Sequence, residues 1–298
     1  ALFEIVREEE PALCARIARL VEEGRWEMVG GEWVEPALAI GGPEAHVRQL
    51  LLGQRYLQEH FGVKAAVGWC PDVFVMQPDC YPQLLAQAGI HRFVHKRPRE
   101  KYMPLPVLPY RWRGNDGSEV VALRSTNKGD GLPALSDGFT ADTEKGDVTV
   151  IAEHFLAADI PHLWGPLGVG DIGGVNEYVL PKVPAPMSAR YSTPTAYFDA
   201  VLGATDPERL PLVEGVLGPI FTGCLTTWAL VKSLNREAEN LLQQTEFLMA
   251  ASHALELPVA SGELTDAWRR LLMIHFHDAL AGVGTESTQR EVELALRC

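Results

Sequence analysis

The sequence lacks any long run of basic or of apolar residues. Its 298 residues carry 39 acidic against 26 basic side chains, a formal net charge of −13, and no Lys/Arg-rich segment. Nucleic acids and anionic membrane surfaces are therefore poor candidates as partners, because both bind basic faces. No run of 18 apolar residues is present to form a transmembrane helix, and no signal peptide opens the chain. We expect a cytoplasmic protein that binds neither nucleic acid nor membrane.

Cysteine is scarce, and an initiator methionine is missing. The five cysteines are scattered without a CxxC pair, which predicts reduced thiols in a cytoplasm rather than a disulfide framework. The first residues, ALFEIVREEE, begin within a helical pattern. We therefore expect the chain to be part of a longer protein. What is abundant is apolar surface, since 47% of the residues are hydrophobic and can bury a sizeable core.

Helical and strand patterns alternate along the first 220 residues. Apolar spacing and Pro/Gly boundaries predict helices at 11–23, 43–62, 81–89 and 149–160, strands at 65–69, 91–96 and 162–170, and a hairpin at 110–125. Residues 24–34 are predicted to form a turn and a short strand. In the second of these helices, Val47, Leu50, Leu51 and Leu57 are predicted to point inward. This alternation indicates an α/β domain with a mostly parallel sheet.

The pattern changes near residue 223. One long helix is predicted over 226–256, with an apolar face of Leu230, Leu234, Ala238, Leu241, Leu242, Thr245 and Leu248, and a second helix over 264–282. We therefore divide the chain into an α/β domain, residues 1–222, and a helical-bundle domain, residues 223–298.

Several polar residues lie where ligands bind in α/β proteins. Asp72 directly follows a predicted strand, and Asp171 follows another within a glycine-rich loop, so each is expected at the carboxyl end of a strand. His277 and Asp278 end a predicted helix, and imidazole with carboxylate suits Zn²⁺. Turn residues would explain both aspartates equally well, and a hydrogen-bonded structural histidine would explain His277.

Six sequence blocks, taken together, resemble glycoside hydrolase family 38, the retaining α-mannosidases. They are GRWEMVGGEWVEP, HVRQLLLGQRYLQEHFGVKAAVGWCPDVF, YPQLLAQAGI, RWRGNDGSEV, GVGDIGG and FHDALAG, in this order. The resemblance covers nearly the whole chain. It implies a (β/α)7-barrel-like, mostly parallel sheet of seven strands followed by a three-helix bundle.

The resemblance also implies roles for individual residues. Asp72 falls on the catalytic nucleophile, which is also a zinc ligand, and His277 on a second zinc ligand. Asp278 matches a carboxylate that contacts the sugar. We expect Asp171, Trp33 and Trp69 to contribute to binding as well, the tryptophans because their faces pack on sugar rings. The implied substrate is a mannose-containing oligosaccharide or glycoside, and homo-oligomerisation is left open.

The sequence departs from the family pattern at several expected site positions. A His-x-Asp zinc motif would lie upstream of Ala1, so the zinc site is incomplete in this chain. Ala37 replaces an acid, Val75 a glycine and Trp228 an arginine, while Val216 stands at the acid/base position. The nearest carboxylate to that position is Glu214, which is our candidate acid.

Three functions are therefore weighed from the sequence. The first is a zinc-assisted retaining α-mannosidase that works through a covalent glycosyl-aspartate. The second is an inactive or truncated relative that binds carbohydrate or serves as a structural remnant. The third is a different metal-dependent hydrolase on the same scaffold.

Overall fold

The backbone packs into two compact units, which are described separately. The structure is a computed structural model that describes residues 1–98, 102–106, 108–125, 148–164, 186–258 and 262–297, without the side chains of residues 148–151. The helical unit comprises Ala1–Ala65, Val73–Pro78 and Pro219–Cys298, and the sheet unit comprises Ala66–Asp72 and Asp79–Gly218. The packing thus groups the first 65 residues with the C-terminal helices. A single division of the chain at residue 222 separates these two segments. That division stays a prediction.

The sheet unit is built on a mixed, mostly parallel sheet of five described strands. They are β1 (Val67–Cys70), β2 (Arg92–His95), β3 (Tyr110–Arg113), β4 (Glu119–Arg124) and β5 (Leu212–Glu214), in the order β1-β2-β4-β3-β5. Neighbouring strands run parallel except in the β3–β4 hairpin. The predicted α/β class, the hairpin and the mostly parallel sheet are confirmed. The seven-stranded barrel and the three-helix bundle stay predictions.

Aromatic side chains form the core around this sheet. Phe93, Tyr110 and Trp112 are fully buried on the central strands, and Tyr81 packs against Phe93 with ring centroids 5.6 Å apart. Among its described residues, three α-helices belong to this unit: α4 (Tyr81–Gln87), α5 (Val148–Ala157) and α6 (Pro194–Ala204). A 3₁₀ turn at Pro207–Arg209 leads into β5. The alternation of strand and helix expected from the sequence is therefore present in the described part of this unit.

The helical unit contains the remaining described helices. They are α1 (Leu2–Glu9), α2 (Pro11–Glu22), α3 (Pro43–Phe61), α7 (Ala229–Ala254), α8 (Gly262–Ile274), α9 (His277–Ala281) and α10 (Glu286–Arg297), with a 3₁₀ turn at Thr222–Leu225. Its largest apolar cluster joins α2 and α3 to Trp268, Leu271 and Leu272 of α8. Among the described residues, no helix has both the length and the apolar character needed to span a membrane.

Helix α3 begins and ends as its sequence predicts, but its buried face is different. Pro43 occupies the first turn, and Gly62 ends the helix in the left-handed conformation at φ 71°. Leu50 and Leu57 are buried as expected, whereas Val47 and Leu51 are 42% and 47% exposed. The inward prediction was wrong for these two because the polar residues His46, Gln49 and Gln54 take buried positions on the helix.

The long helix α7 also buries a face that apolar spacing does not indicate. Leu230, Leu241 and Leu248 are each about half exposed or more, at 49%, 55% and 62%. The buried positions are Val231, Asn235 and Glu239, spaced four residues apart. The predicted apolar face was therefore wrong in part, because a polar network anchors this helix.

Two further predicted elements are corrected. Residues 24–34 form turns rather than a strand, with Gly30 and Gly31 at positive φ. The single helix predicted over 264–282 is broken between α8 and α9, where Phe276 adopts φ −46° and ψ 136° and forms an isolated antiparallel bridge with Pro36. Residues 162–164 are not in a strand, and the rest of the predicted strand at 162–170 lies outside the described residues.

We expect Gly53→Ala to destabilise the protein, although alanine is the better helix former. A Cβ at Gly53 would lie 2.3 Å from the Gly31 carbonyl oxygen and 2.5 Å from Glu32 carbon, so the 31–32 backbone must shift. Overpacking of this kind costs about 1–3 kcal/mol in the free energy of unfolding. The control is Gly203→Ala in α6, which has open space within 4 Å and should gain about 0.5–1 kcal/mol. Urea unfolding in which Gly53→Ala matches or exceeds wild type would contradict the close packing.

Candidate functional site

In the helical unit, residues 35–37 pair with residues 275–277 in an extended arrangement. The Ala37 N–H donates to the His275 carbonyl at 2.8 Å, and the His277 N–H donates to the Glu35 carbonyl at 3.0 Å. This pairing interrupts the helix after Ile274 and starts α9 at His277. The helix break therefore sets the direction in which His277 leaves the backbone.

The His277 side chain is buried between an aromatic wall and a backbone carbonyl. Its Nδ1 lies 3.3 Å from the Glu35 carbonyl oxygen, which can only accept, so Nδ1 carries the proton in this contact. The rings of Phe74 and Phe276 lie 5.7 Å and 4.3 Å from the imidazole. Nε2 lies 3.7 Å from Asp278 Oδ1. An imidazole whose Nδ1–H binds a carbonyl presents the Nε2 lone pair, as metal-binding histidines do.

A buried polar network lies immediately behind the helix break. His275 Nε2 donates to Asn235 Oδ1 at 2.8 Å, and Asn235 Nδ2 donates to Glu239 Oε1 at 3.0 Å. Glu239 also accepts the Gly42 N–H at 2.9 Å and pairs with Arg236 through Oε2. Burial lowers the pKa of His275 to about 3, so the ring is neutral. The network thus ties helix α7 to His275 and to the Gly42 amide that precedes α3.

The residues that follow Asp72 in the chain pack in the helical unit. The Val73 N–H donates to Glu35 Oε1 at 3.1 Å, and the Val75 carbonyl accepts the Ile220 N–H at 3.0 Å. Phe74 and Val75 are buried in one cluster with Ile220, Cys224 and Ala281. Val75, which departs from the glycine of the family pattern, therefore contributes an apolar side chain to this cluster.

Asp72 itself belongs to the sheet unit, where it pairs with Arg97. Arg97 Nε donates to Asp72 Oδ1 at 2.7 Å, and Nη2 lies 2.5 Å from the same oxygen. Cys70 and His95, the last residues of the parallel strands β1 and β2, are paired in register. Asp72 and Arg97 each follow two residues later, which explains why they meet at the carboxyl edge of the sheet. Asp72 is thus held as an oriented carboxylate with a compensating cation.

His95 connects this ion pair to the core of the sheet. Its Nδ1 donates to the Arg97 carbonyl at 2.8 Å, and its Nε2 accepts from the Tyr110 hydroxyl at 2.6 Å. Complete burial lowers the pKa of His95 to about 3, with the Arg97 carbonyl acting in the opposite direction. Burial also raises the pKa of Tyr110. The neutral imidazole with Nδ1–H is therefore the form that holds the Arg97 backbone.

Trp33 is a core residue, which corrects its assignment as a sugar-binding platform. Its side chain is 4% exposed, with the Tyr56 ring at 5.6 Å and the Arg269 guanidinium carbon 5.4 Å from its ring centroid. Both contacts lie within the helical unit. Because these contacts and its burial cover the ring, Trp33 has no open face on which a sugar could stack.

The other predicted residues are placed but not brought into one described cluster. Asp278 is the second residue of α9 and has half of its side chain exposed, and Trp69 on β1 contacts Trp164, with ring centroids 6.4 Å apart. Glu214 ends β5, is 62% exposed and pairs with Arg113 at 3.0 Å. Asp171 lies outside the described residues. The roles assigned to Asp278, Trp69, Glu214 and Asp171 therefore stay predictions.

Sequence reasoning missed Glu35, Arg97 and Asn235. Arg97 could have been found, because it follows strand β2 at the same offset at which Asp72 follows β1. Glu35 and Asn235 act through contacts with residues 242 and 40 positions away, respectively. No local pattern signals such contacts.

Comparisons with known proteins agree on one family. Residues 1–229 match the sequence model described as the glycosyl hydrolases family 38 N-terminal domain, and residues 219–297 match the alpha mannosidase middle domain. Human alpha-mannosidase 2C1 is 30% identical over 297 residues, covering 94% of this chain and 27% of that protein. The alpha-mannosidase of Saccharomyces cerevisiae is 28% identical over 290 residues, covering 88% and 25%. The chain thus spans about a quarter of the length of these relatives.

A solved structure shows the same fold. The crystal structure of an alpha-mannosidase from Enterococcus faecalis V583 superimposes with a TM-score of 0.73 at 19% identity, over 98% of this chain and 34% of that one. At this identity the similarity concerns the fold alone.

We expect Asn235→Ala to lower the free energy of unfolding by about 1–3 kcal/mol, because it leaves His275 Nε2–H without its acceptor in a buried site. The control is Gln244→Ala, an exposed position on the same helix, which should stay within about 0.5 kcal/mol of wild type. Urea unfolding of the two variants measures the difference. Equal effects would show that the network does not anchor α7.

We expect His95 to make the protein less stable as the pH falls. Its pKa is lowered from 6.5 to about 3 on folding, so between these values the unfolded chain binds the extra proton. The free energy of unfolding therefore falls as the pH drops below about 6.5, with a slope approaching ~1.4 kcal/mol per pH unit. In His95→Gln this contribution is absent, so the stability difference from wild type should shrink between pH 7 and pH 5. A difference independent of pH would contradict the buried, neutral assignment.

Proposed function

Because the chain belongs to glycosyl hydrolase family 38, we propose that it forms part of a retaining α-mannosidase that hydrolyses terminal α-mannosidic bonds. The observation that carries the proposal is Asp72, placed after β1 and held by Arg97 at the carboxyl edge of a parallel sheet. The relatives bear the name alpha-mannosidase. We therefore infer a mannose-containing oligosaccharide or glycoside as the substrate.

In this proposal Asp72 is the nucleophile. Its carboxylate oxygen attacks the anomeric carbon as the bond to the leaving oxygen breaks, giving a covalent glycosyl-aspartate that water then hydrolyses. The two Arg97 contacts to Oδ1 support this role because they fix the orientation of the carboxylate and compensate its charge. Two displacements at one carbon return the original configuration, which makes the reaction retaining.

The leaving oxygen needs a proton from a second group. Glu214 is the proposed acid, since Val216 occupies the position at which the family resemblance expects one. Glu214 lies in the sheet unit on β5 and is paired with Arg113. This exposed ion pair is worth little energy, so it leaves the side chain able to reorient when a substrate binds.

The described residues do not by themselves fit a zinc ion. Zinc sites use three or four protein ligands. Among the residues that the structure describes, no group of three His, Cys, Asp or Glu side chains is arranged to hold a metal ion. The proposed assignments of Asp72 and His277 as two zinc ligands therefore require ligands from elsewhere, and no step above is routed through a metal.

One observation favours a second function. With Val216 at the expected acid position, a chain without a competent acid would bind a mannoside without cleaving it. This second candidate is an inactive, carbohydrate-binding relative. The two functions differ in whether the bound mannoside is cleaved. Turnover and mannoside affinity, measured for the wild type and for Asp72→Asn, therefore distinguish them.

We expect the full-length protein that contains this chain to release 4-nitrophenol from 4-nitrophenyl α-mannoside, with the α-anomer of mannose as first product by NMR. Asp72→Asn should lower kcat by about 10³-fold or more, because the neutral amide is a poor nucleophile. Asp199→Asn, which breaks an exposed pair with Arg92, is the matched control and should leave kcat near wild type.

Two results would contradict this proposal. One is that the wild-type protein, with its metal content measured, shows no turnover of the mannoside. If Asp72→Asn then retains affinity for the mannoside, the binding function is favoured. The other is turnover that survives Asp72→Asn, which would remove Asp72 from the reaction.

A further inference from the structure

Glu35 binds two separate parts of the helical unit and has no role in the reaction described above. Its backbone carbonyl accepts the His277 N–H at 3.0 Å and lies 3.3 Å from His277 Nδ1. Its side-chain Oε1 accepts the Val73 N–H at 3.1 Å. These partners are 242 and 38 residues away along the chain. One residue therefore connects His277 with the peptide that follows Asp72.

We propose that Glu35 is a positioning residue of the glycosidase reaction, with its carboxylate fixing the Asp72–Val73 peptide and its backbone fixing His277. The inference rests on the proposed function, because it takes Asp72 and His277 as residues of that reaction. Glu35 acts through these two residues and is not itself assigned a contact with substrate.

The carboxylate acts on a rigid group. The Val73 N–H belongs to the planar peptide that also contains the Cα and the carbonyl carbon of Asp72, so holding the N–H also restrains the position of that Cα. The Cα in turn carries the Asp72 side chain. A nucleophile misplaced by about 1 Å can lose about a hundredfold in rate. A charge-assisted hydrogen bond at this peptide therefore bears directly on reactivity.

Other contacts keep the segment in place when the Glu35 side chain is removed. Phe74 packs against His277, and the Val75 carbonyl accepts the Ile220 N–H. The backbone bonds from Glu35 to His277 do not depend on its side chain, although Oε2 also lies 3.7 Å from His277 Nδ1. Loss of the carboxylate should therefore loosen the Asp72–Val73 peptide and weaken one of several contacts with His277, without unfolding the unit. The expected consequence is a lower kcat at a nearly unchanged KM.

The test compares Glu35→Ala and Glu35→Gln in the full-length protein. In Glu35→Ala, exchange of the Val73 amide hydrogen, relative to that of Ile220, should speed up about tenfold to a hundredfold, as expected when a hydrogen bond to a charged group is lost. With 4-nitrophenyl α-mannoside, kcat should fall by a similar factor, with KM changing less than about threefold. Glu35→Gln keeps an oxygen acceptor for the Val73 N–H and should recover most of both losses.

Gln54→Ala is the matched structural control. Gln54 lies in the same unit, where it is buried, and its amide binds the Ala65 N–H and carbonyl at 2.8 Å and 2.9 Å. Its loss should destabilise the unit while leaving kcat near wild type, and exchange at Val73 and Ile220 should change together.

Each other outcome is decisive. Unchanged relative exchange at Val73 in Glu35→Ala, or a fall in kcat no larger than that of Gln54→Ala, would overturn the positioning role alone. Wild-type protein without turnover would overturn the proposed function and, with it, any role of Glu35 in the reaction.

Discussion

The short antiparallel pairing of residues 35–37 with 275–277 is the contact on which the candidate functional residues of the helical unit depend. It converts what would be one continuous helix into α8 and α9 and thereby presents His277. The same segment carries the Glu35 side chain to the Val73 amide. The two backbone hydrogen bonds of this pairing are each worth about 1 kcal/mol, so their persistence requires support from the surrounding side chains.

That support is polar rather than apolar. Asn235, Glu239 and His275 hydrogen-bond with one another and with the Gly42 amide inside the unit, with Arg236 at the border. Buried polar groups that are hydrogen-bonded contribute little net stability but penalise every arrangement in which they lose their partners. The sheet unit uses the same principle, since His95 joins Tyr110 to the Arg97 backbone beside Asp72. In both units a buried, neutral histidine is hydrogen-bonded close to a candidate functional residue.

The sequence predicts those features that neighbouring residues determine and misses those that tertiary contacts determine. Strands β1 and β2, the β3–β4 hairpin, and helix α3 from Pro43 to Gly62 follow from periodicity and turn residues, and Asp72 follows from its place after β1. The break at His275 could not be predicted, because residues 264–282 keep helical spacing and tertiary contacts interrupt it. The exposure of Leu241 and the burial of Glu239 reverse the usual preference for the same reason. Trp33 lies beside a sequence motif and is therefore predicted to bind sugar, but it is a buried residue of the hydrophobic core.

The division of the chain into interleaved segments has a consequence for biosynthesis. The apolar faces of α2 and α3 are covered by Trp268, Leu271 and Leu272, and Gln49 binds the Leu272 carbonyl 223 residues later. While a ribosome makes this chain from its N-terminus, the apolar faces of α2 and α3 stay uncovered until the sheet unit and then α8 have been synthesised. At about 5–20 residues per second this delay lasts on the order of ten seconds or more, long enough for chaperones to engage the nascent helices.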